Sequence, residues 1–158
     1  MSALILDTET SSLNGYPIEI AYVPCSFERG ALVIDQKQAF DEYFSCPAPI
    51  ELGAMATHHI LESDIADKPS YETFCLPEDV VFLIGHNIAY DIQAIQLCDK
   101  SINVKPICTL ALARMIWSEL ETHTLTAMYY YCMSSDLQLA RKHLRNAHNA
   151  RWDIYFTG

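Results

Sequence analysis

Val80-Val81-Phe82-Leu83-Ile84 is a continuous apolar run closed by Gly85. It is short and begins with two β-branched residues, so it reads as a strand rather than a piece of helix. A strand with no polar alternation must be covered on both faces, which calls for a sheet layered between helices. Ile88, Ile92 and Ile95 follow at helical spacing, so a helix leaves almost directly from the strand's end. In such sheets the strand ends are where ligands bind, and His86, Asn87 and Asp91 cluster there.

The other segments fit this layered plan. Residues 3–8 read as a short buried strand. Residues 18–25 read as a second, antiparallel to it across the turn signal Asn14-Gly15-Tyr16-Pro17. A third strand is expected within 31–45. Pro47, Pro49 and Pro69 punctuate a region of short helices at 50–56 and 61–66. Pro106-Ile107-Cys108 predicts another short strand, and Thr109 caps a helix through Leu110, Ala113 and Trp117. Helices are also expected at 124–132 and from about 148. Strands come first and then alternate with helices, which is an α/β architecture with a mixed sheet. With no linker or repeat, residues 1–158 are expected to be one domain. Its last helix should run little more than one turn beyond Asp153.

Composition narrows the function classes. Twenty acids against ten bases give a net charge of −10, which argues against a general nucleic-acid coat protein. Four of the ten bases, Arg141, Lys142, Arg145 and Arg151, fall close together around His148. They read either as a solvated helix face or as a local phosphate contact. No apolar run approaches the roughly 18 residues of a membrane span, so no membrane partner is expected. The N-terminal stretch lacks the shape of a signal peptide. The six cysteines include no C-x-x-C pair, so neither a zinc site nor a disulfide framework is expected. A reducing cytoplasm is the expected compartment.

Asp7 and Glu9 stand two apart on the first strand and so share a face. Two adjacent carboxylates repel and are costly to bury, and a divalent cation relieves both problems. D-x-E alone is common, and Glu9 could simply be solvated. A D-x-D phosphatase would need a second Asp, and an aspartic protease Asp-Thr-Gly; the chain has Asp7-Thr8-Glu9. Asp91 falls in a helix's first turn, favoured by the dipole, yet on the apolar side where a bare carboxylate is rare. His148 and Asp153 are separated by about 140° around a helix. To serve one site, His148 must lie on the loop and Asp153 inside the helix. A strand with two carboxylates, two further helix-borne acids and a histidine can hold a pair of divalent ions and deprotonate a water.

Taken in order, Asp7-Thr8-Glu9, then His86-Asn87 with Asp91, then His148 with Asp153, resemble the DnaQ-like 3′–5′ exonucleases that carry histidine in their third motif (DEDDh). Three further stretches strengthen the likeness: Ala54-Met55-Ala56-Thr57-His58-His59-Ile60, Ile65-Ala66-Asp67-Lys68-Pro69, and residues 107–114. The last two are similar to the exodeoxyribonuclease X branch of that family. The resemblance covers nearly the whole chain and implies an RNase H-like mixed sheet flanked by helices. It implies that Asp7, Glu9, Asp91 and Asp153 hold two Mg²⁺ or Mn²⁺ ions and that His148 is the general base. Thr8, Thr10, Leu13, His58 and Asn87 would contact the terminal nucleotide, with Leu13 packing on its base. The implied activity is release of nucleoside 5′-monophosphates from DNA 3′ ends, in repair. Short RNA as substrate, or a non-catalytic proofreading-type subunit, are the alternatives. Tyr90 stands where the family often has phenylalanine. The run Tyr129-Tyr130-Tyr131 raises the expectation of a homodimer.

Overall fold

The computed structural model describes residues 2–158, the Asn146 side chain excepted. The chain runs β1 (Ser2–Thr10), β2 (Pro17–Glu28), β3 (Ala31–Ile34), β4 (Phe40–Tyr43), α1 (Leu52–His58), α2 (Glu62–Ile65), β5 (Val80–Gly85) and α3 (Ala89–Ile95). It continues with β6 (Lys105–Cys108), α4 (Thr109–Ile116), α5 (Leu125–Cys132), α6 (Leu137–His143) and α7 (Ala150–Thr157). The strands form one sheet in the order β3-β2-β1-β5-β6, with β4 also paired to β2. β1 is antiparallel to β2 and parallel to β5, and β5 is parallel to β6. The sheet is therefore mixed, as expected.

The third strand expected in 31–45 is two. Asp35 accepts a hydrogen bond from Lys37 N (3.2 Å) and starts a single turn at Gln36–Gln38, which breaks the run. β3 then pairs with Cys25–Glu28 and β4 with Glu19–Tyr22, so both lie along the same long β2. One helix was not expected from the sequence. In α6, Asp136 caps the first turn by accepting from Leu139 N at 3.0 Å.

Side-chain alternation on β1 sorts the whole molecule. Leu4 and Leu6 point into a core with Ile20, Leu83, Ile88 and Ile95, under α3. Ile5 points the other way, into a core with Ala21, Val23, Ile84, Ala150 and Ile154, under α7. By the same period of two, Asp7 and Glu9 continue the Ile5 face toward α7, and Thr8 continues the Leu4–Leu6 face toward α3. Burying large aliphatic side chains is worth about 1.5–3 kcal/mol each, so both faces are firmly seated. Gly85 ends β5 where no side chain fits: a Cβ there would lie 2.6 Å from Ile88 Cδ1 and 2.9 Å from Leu6 O. The six cysteines are free thiols; Cys25 is buried, whereas Cys75 is exposed despite its apolar neighbours. Among the described residues no helix is long and apolar enough to cross a membrane.

Candidate active site

The parallel pairing of β1 with β5 runs from Ser2 to Ile5, and β5 stops at Gly85, while β1 continues to Thr10. The last residues of β1 therefore have one flank without a strand neighbour. The start of α3 fills it. Asp91 Oδ1 accepts from both Thr8 N and Thr8 Oγ1, each at 2.9 Å. Asp91 is thus a buried side chain that completes the backbone bonding of β1, which explains why it sits on an apolar helix face. The turn leading to it needs a left-handed residue, supplied by Asn87 with φ 74°; asparagine tolerates that region better than most residues.

On the opposite face α7 lies across β1 and delivers Asp153 to Asp7 and Glu9. One carboxylate oxygen from each of these three residues lies within 4.8 Å of the others. Asp91, coming from the other side, is not in that tight group. Asp153 sits in the first turn of α7, and its Oδ2 accepts from His148 N at 3.2 Å. Its Oδ1 is buried and has no hydrogen-bond partner. His148 lies on the loop before α7, exposed, with φ 64°. The angular condition set by the five-residue separation is met: loop for one residue, helix for the other.

The electrostatics are those of acids crowded in a low-dielectric pocket. Burial first, then the neighbouring Asp91, Asp153 and Glu9, push the Asp7 carboxyl well above its ordinary range. Burial, then Asp153, Glu19 and Asp91, push Glu9 up to about 9. Burial raises Asp91 to about 7 against the pull of its Thr8 hydrogen bonds, and Asp153 to about 6 against the His148 N–H. Like charges at this spacing cannot all ionise without a cation. An all-oxygen ligand set with one orphaned buried oxygen fits a hard divalent ion such as Mg²⁺ or Mn²⁺.

A cleft of about 340 Å³ opens beside Glu9, lined by Thr10, Leu13, His58 and Tyr90 among others. Leu13 stands 77% exposed on its rim. His58 is buried; its Nδ1 accepts from Ile60 N (3.0 Å), which leaves Nε2 to carry the proton and donate to Thr10 O (3.2 Å). Thr10 Oγ1 donates to Ser12 O at 2.7 Å and also bonds the Tyr90 hydroxyl. Of the residues expected to contact substrate, the cleft gathers Thr10, Leu13 and His58. Thr8 and Asn87 are not among its lining residues; the Thr8 hydroxyl is committed to Asp91, and Asn87 is exposed at the start of α3. The basic cluster is solvent-facing: Arg141, Lys142, Arg145 and Arg151 are exposed, and Arg151 pairs loosely with Asp41 at 3.8 Å.

A fifth acid escaped the sequence reading. Glu19, on β2, is 1% exposed and lies directly across from Glu9 in the β1–β2 register. Its Oε1 accepts from Asn149 Nδ2 at 2.7 Å and its Oε2 from Ala150 N at 3.2 Å. Burial raises its pKa to about 7, opposed by these two donors. The signal was present: a lone acid between Ile18 and Ile20 in an apolar strand is as anomalous as Asp91 in its helix.

No family model matches the chain. It is 30% identical over 162 residues to Exodeoxyribonuclease 10 of Escherichia coli (strain K12), an alignment covering 97% of this chain and 64% of that protein. It is 27% identical over 172 residues to the DNA polymerase III subunit epsilon of Buchnera aphidicola subsp. Acyrthosiphon pisum (strain APS), covering 98% of this chain and 69% of that protein. The chain thus spans just under two thirds of the length of Exodeoxyribonuclease 10. Among solved structures, Exonuclease X in complex with 5′ overhanging duplex DNA matches with a TM-score of 0.65 at 25% identity, over 99% of both chains. The mixed sheet flanked by helices is accordingly RNase H-like. Nearly the whole chain is thus similar to Exodeoxyribonuclease 10 and, in architecture, to Exonuclease X, the likeness expected of a DnaQ-like 3′–5′ exonuclease domain.

Proposed function

We propose that the protein is a divalent-metal-dependent 3′–5′ exonuclease that hydrolyses the terminal phosphodiester bond at DNA 3′ ends. The observation that carries this reading is the convergence of Asp7, Glu9 and Asp153 within 4.8 Å, with the Asp153 Oδ1 unpartnered. Asp7, Glu9 and Asp153 would hold one ion, and Asp7 with the Asp91 oxygen that Thr8 does not use would hold a second. When bound, such ions supply Lewis acidity at the phosphoryl group and offset the charge of the polyanion.

The chain's own residues do the rest. His148 takes a proton from the attacking water, with its backbone tethered to Asp153. The water oxygen bonds to phosphorus, and the bond from phosphorus to the neighbouring 3′ oxygen breaks. The leaving 3′ oxygen takes a proton from solvent, so that a nucleoside 5′-monophosphate departs and the shortened strand keeps a 3′ hydroxyl. Thr10 and His58 shape the cleft beside Glu9, and Leu13 on its rim packs on the terminal base. Thr8 acts from behind by anchoring Asp91, and Asn87 at the turn contacts the backbone of the strand. Residues 1–158 act as one catalytic domain, and the cytoplasm is the working compartment. DNA is favoured over RNA as substrate because the matching Exonuclease X structure holds duplex DNA.

The test is a 3′-labelled oligonucleotide incubated with Mg²⁺ or Mn²⁺. Mononucleotide release that stops in EDTA supports the reading; release that persists in EDTA, or in Asp7→Ala protein, overturns it. A homodimer is proposed through the apolar surface of α4 and α5, where Met115 is 79% and Ile116 63% exposed and the exposed Tyr131 meets Trp117 at 5.6 Å between ring centres. Sedimentation at micromolar protein should give twice the monomer mass.

A further inference from the structure

Glu19 has a place in this site that the metal reading alone does not supply. A carboxylate between two fully buried isoleucines is expensive to bury, and is kept only where its hydrogen bonds repay the cost. Both of its oxygens are engaged, one by the Asn149 side chain and one by the Ala150 backbone N–H. It is also not among the carboxylates whose oxygens converge, those of Asp7, Glu9 and Asp153. Asn149 is the N-cap residue of α7, yet its side chain makes no capping bond to its own helix. The first N–H of α7 is met instead by a residue 131 positions earlier in the chain. This replaces local capping with an anchor in the middle of the sheet, on a strand paired on both sides at that position.

What hangs from this anchor is the third motif. His148 immediately precedes Asn149. The Asn149 carbonyl accepts from Trp152 N (2.9 Å) and Asp153 N (3.0 Å), so any shift of Asn149 moves His148 and Asp153 together. We propose that Glu19 is a positioning residue: it clamps the start of α7 to β2 and so fixes His148 and Asp153 relative to Asp7 and Glu9. This inference rests on the exonuclease reading for its kinetic consequence, but the clamp itself is visible without metal or substrate.

Two measurements on the full chain test it. The first is amide hydrogen exchange of the metal-free protein, comparing wild type with Glu19→Ala, Glu19→Gln and Asn149→Ala. The second is steady-state release of mononucleotides by the same proteins. Glu19→Ala should speed exchange over residues 150–153 by about tenfold or more, leaving β5 unchanged. It should lower kcat by roughly 100-fold, the scale of a 1 Å misplacement, with KM within about twofold of wild type. Glu19→Gln keeps one acceptor oxygen and should fall between. Asn149→Ala removes one donor without disturbing the buried strand and should shift both measurements in the same direction by less.

Wild-type exchange at residues 150–153 and wild-type kcat in both Glu19→Gln and Asn149→Ala would overturn the clamp. So would loosening spread evenly over the sheet, which would mean a merely structural role. Should Glu19→Ala fail to fold, the other two variants decide. Should the wild type itself release no mononucleotide, the exonuclease reading falls while the exchange comparison still judges the clamp.

Discussion

Asp7, Glu9 and Asp91 are held by the middle of the molecule, whereas His148 and Asp153 are held at its side. β1 lies between β2 and β5, and Asp91 is tied to it by two hydrogen bonds from Thr8. α7 is an eight-residue helix that packs Ala150 and Ile154 on the sheet. Its outer side meets α5 and α6 through Tyr129, whose ring lies 4.8 Å from Phe156 and whose hydroxyl bonds His143 Nδ1 at 2.7 Å. The helices around it leave Met115, Ile116, Tyr131 and Leu137 exposed. One half of the site is thus built into the sheet, and the other is docked against it. The contacts of Glu19 join the two halves, alongside the packing of Ala150 and Ile154 on the sheet.

The largest effects should ignore this division. Asp7→Ala on the built-in side and Asp153→Ala on the docked side should each lower kcat on the order of 10³-fold, read as mononucleotide release from a labelled oligonucleotide. A much smaller loss for Asp153→Ala would place the chemistry in the sheet half alone.

The pH dependence of stability comes next and joins both halves. Glu9, Asp91, Glu19 and Asp153 all have folded-state pKa values above their ordinary ones, at about 9, 7, 7 and 6. A raised carboxyl favours the folded state most when protonated, so its contribution is full in acid and is lost as pH rises through the folded value. The metal-free protein should therefore lose Tm as pH is raised from about 5 to 9, followed by scanning calorimetry. Millimolar Mg²⁺ should restore stability at the alkaline end, because binding to the folded state alone stabilises it. A metal-free Tm that rises over this range would contradict the shared burial of these acids.

Phe156→Ala should separate the halves. It removes the Tyr129 partner and should cost about 2 kcal/mol, below the ~3–5 kcal/mol of a fully buried phenylalanine. Exchange should quicken in α5 and α7 while β1 and β5 stay protected. Uniform quickening would show one cooperative unit and erase the comparison.

The smallest effect belongs to Tyr90→Phe. The Tyr90 hydroxyl reaches Thr10 and Ser12 at the end of β1, on the built-in side. Its loss should cost about 1 kcal/mol of stability and raise KM a few-fold with kcat unchanged. An unchanged KM would remove the hydroxyl from any part in holding the Leu13 turn.

Much of this was readable beforehand, and the gaps have physical causes. The strand 80–84 and the helix after it followed from periodicity, because a buried strand and an amphipathic helix write their environment into their own residues. The pairing of Asp7 with Glu9 on one face followed from strand alternation. The division of 31–45 into two strands was missed although the polar run Asp35-Gln36-Lys37-Gln38 marks the break, where Asp35 accepts from Lys37 N and starts a turn between β3 and β4. α6 was missed because its residues are mostly exposed and carry no apolar stripe; its start depends on the Asp136 cap. Glu19 was passed over because its partners lie 130 and 131 residues away, where no local pattern reaches.

The sequence by itself determined the layers, the carboxylate pair on β1 and the loop-then-helix placement of His148 and Asp153, since each follows from periods of 2 and 3.6 residues along one segment. Only the tertiary structure decided that Asp91 approaches from the α3 face and Asp153 from the α7 face, that Thr8 is spent on Asp91, and that Glu19 anchors α7. Those are contacts between segments more than 80 residues apart. They are set by which strand ends first and which helix fills the gap, and no local periodicity records that.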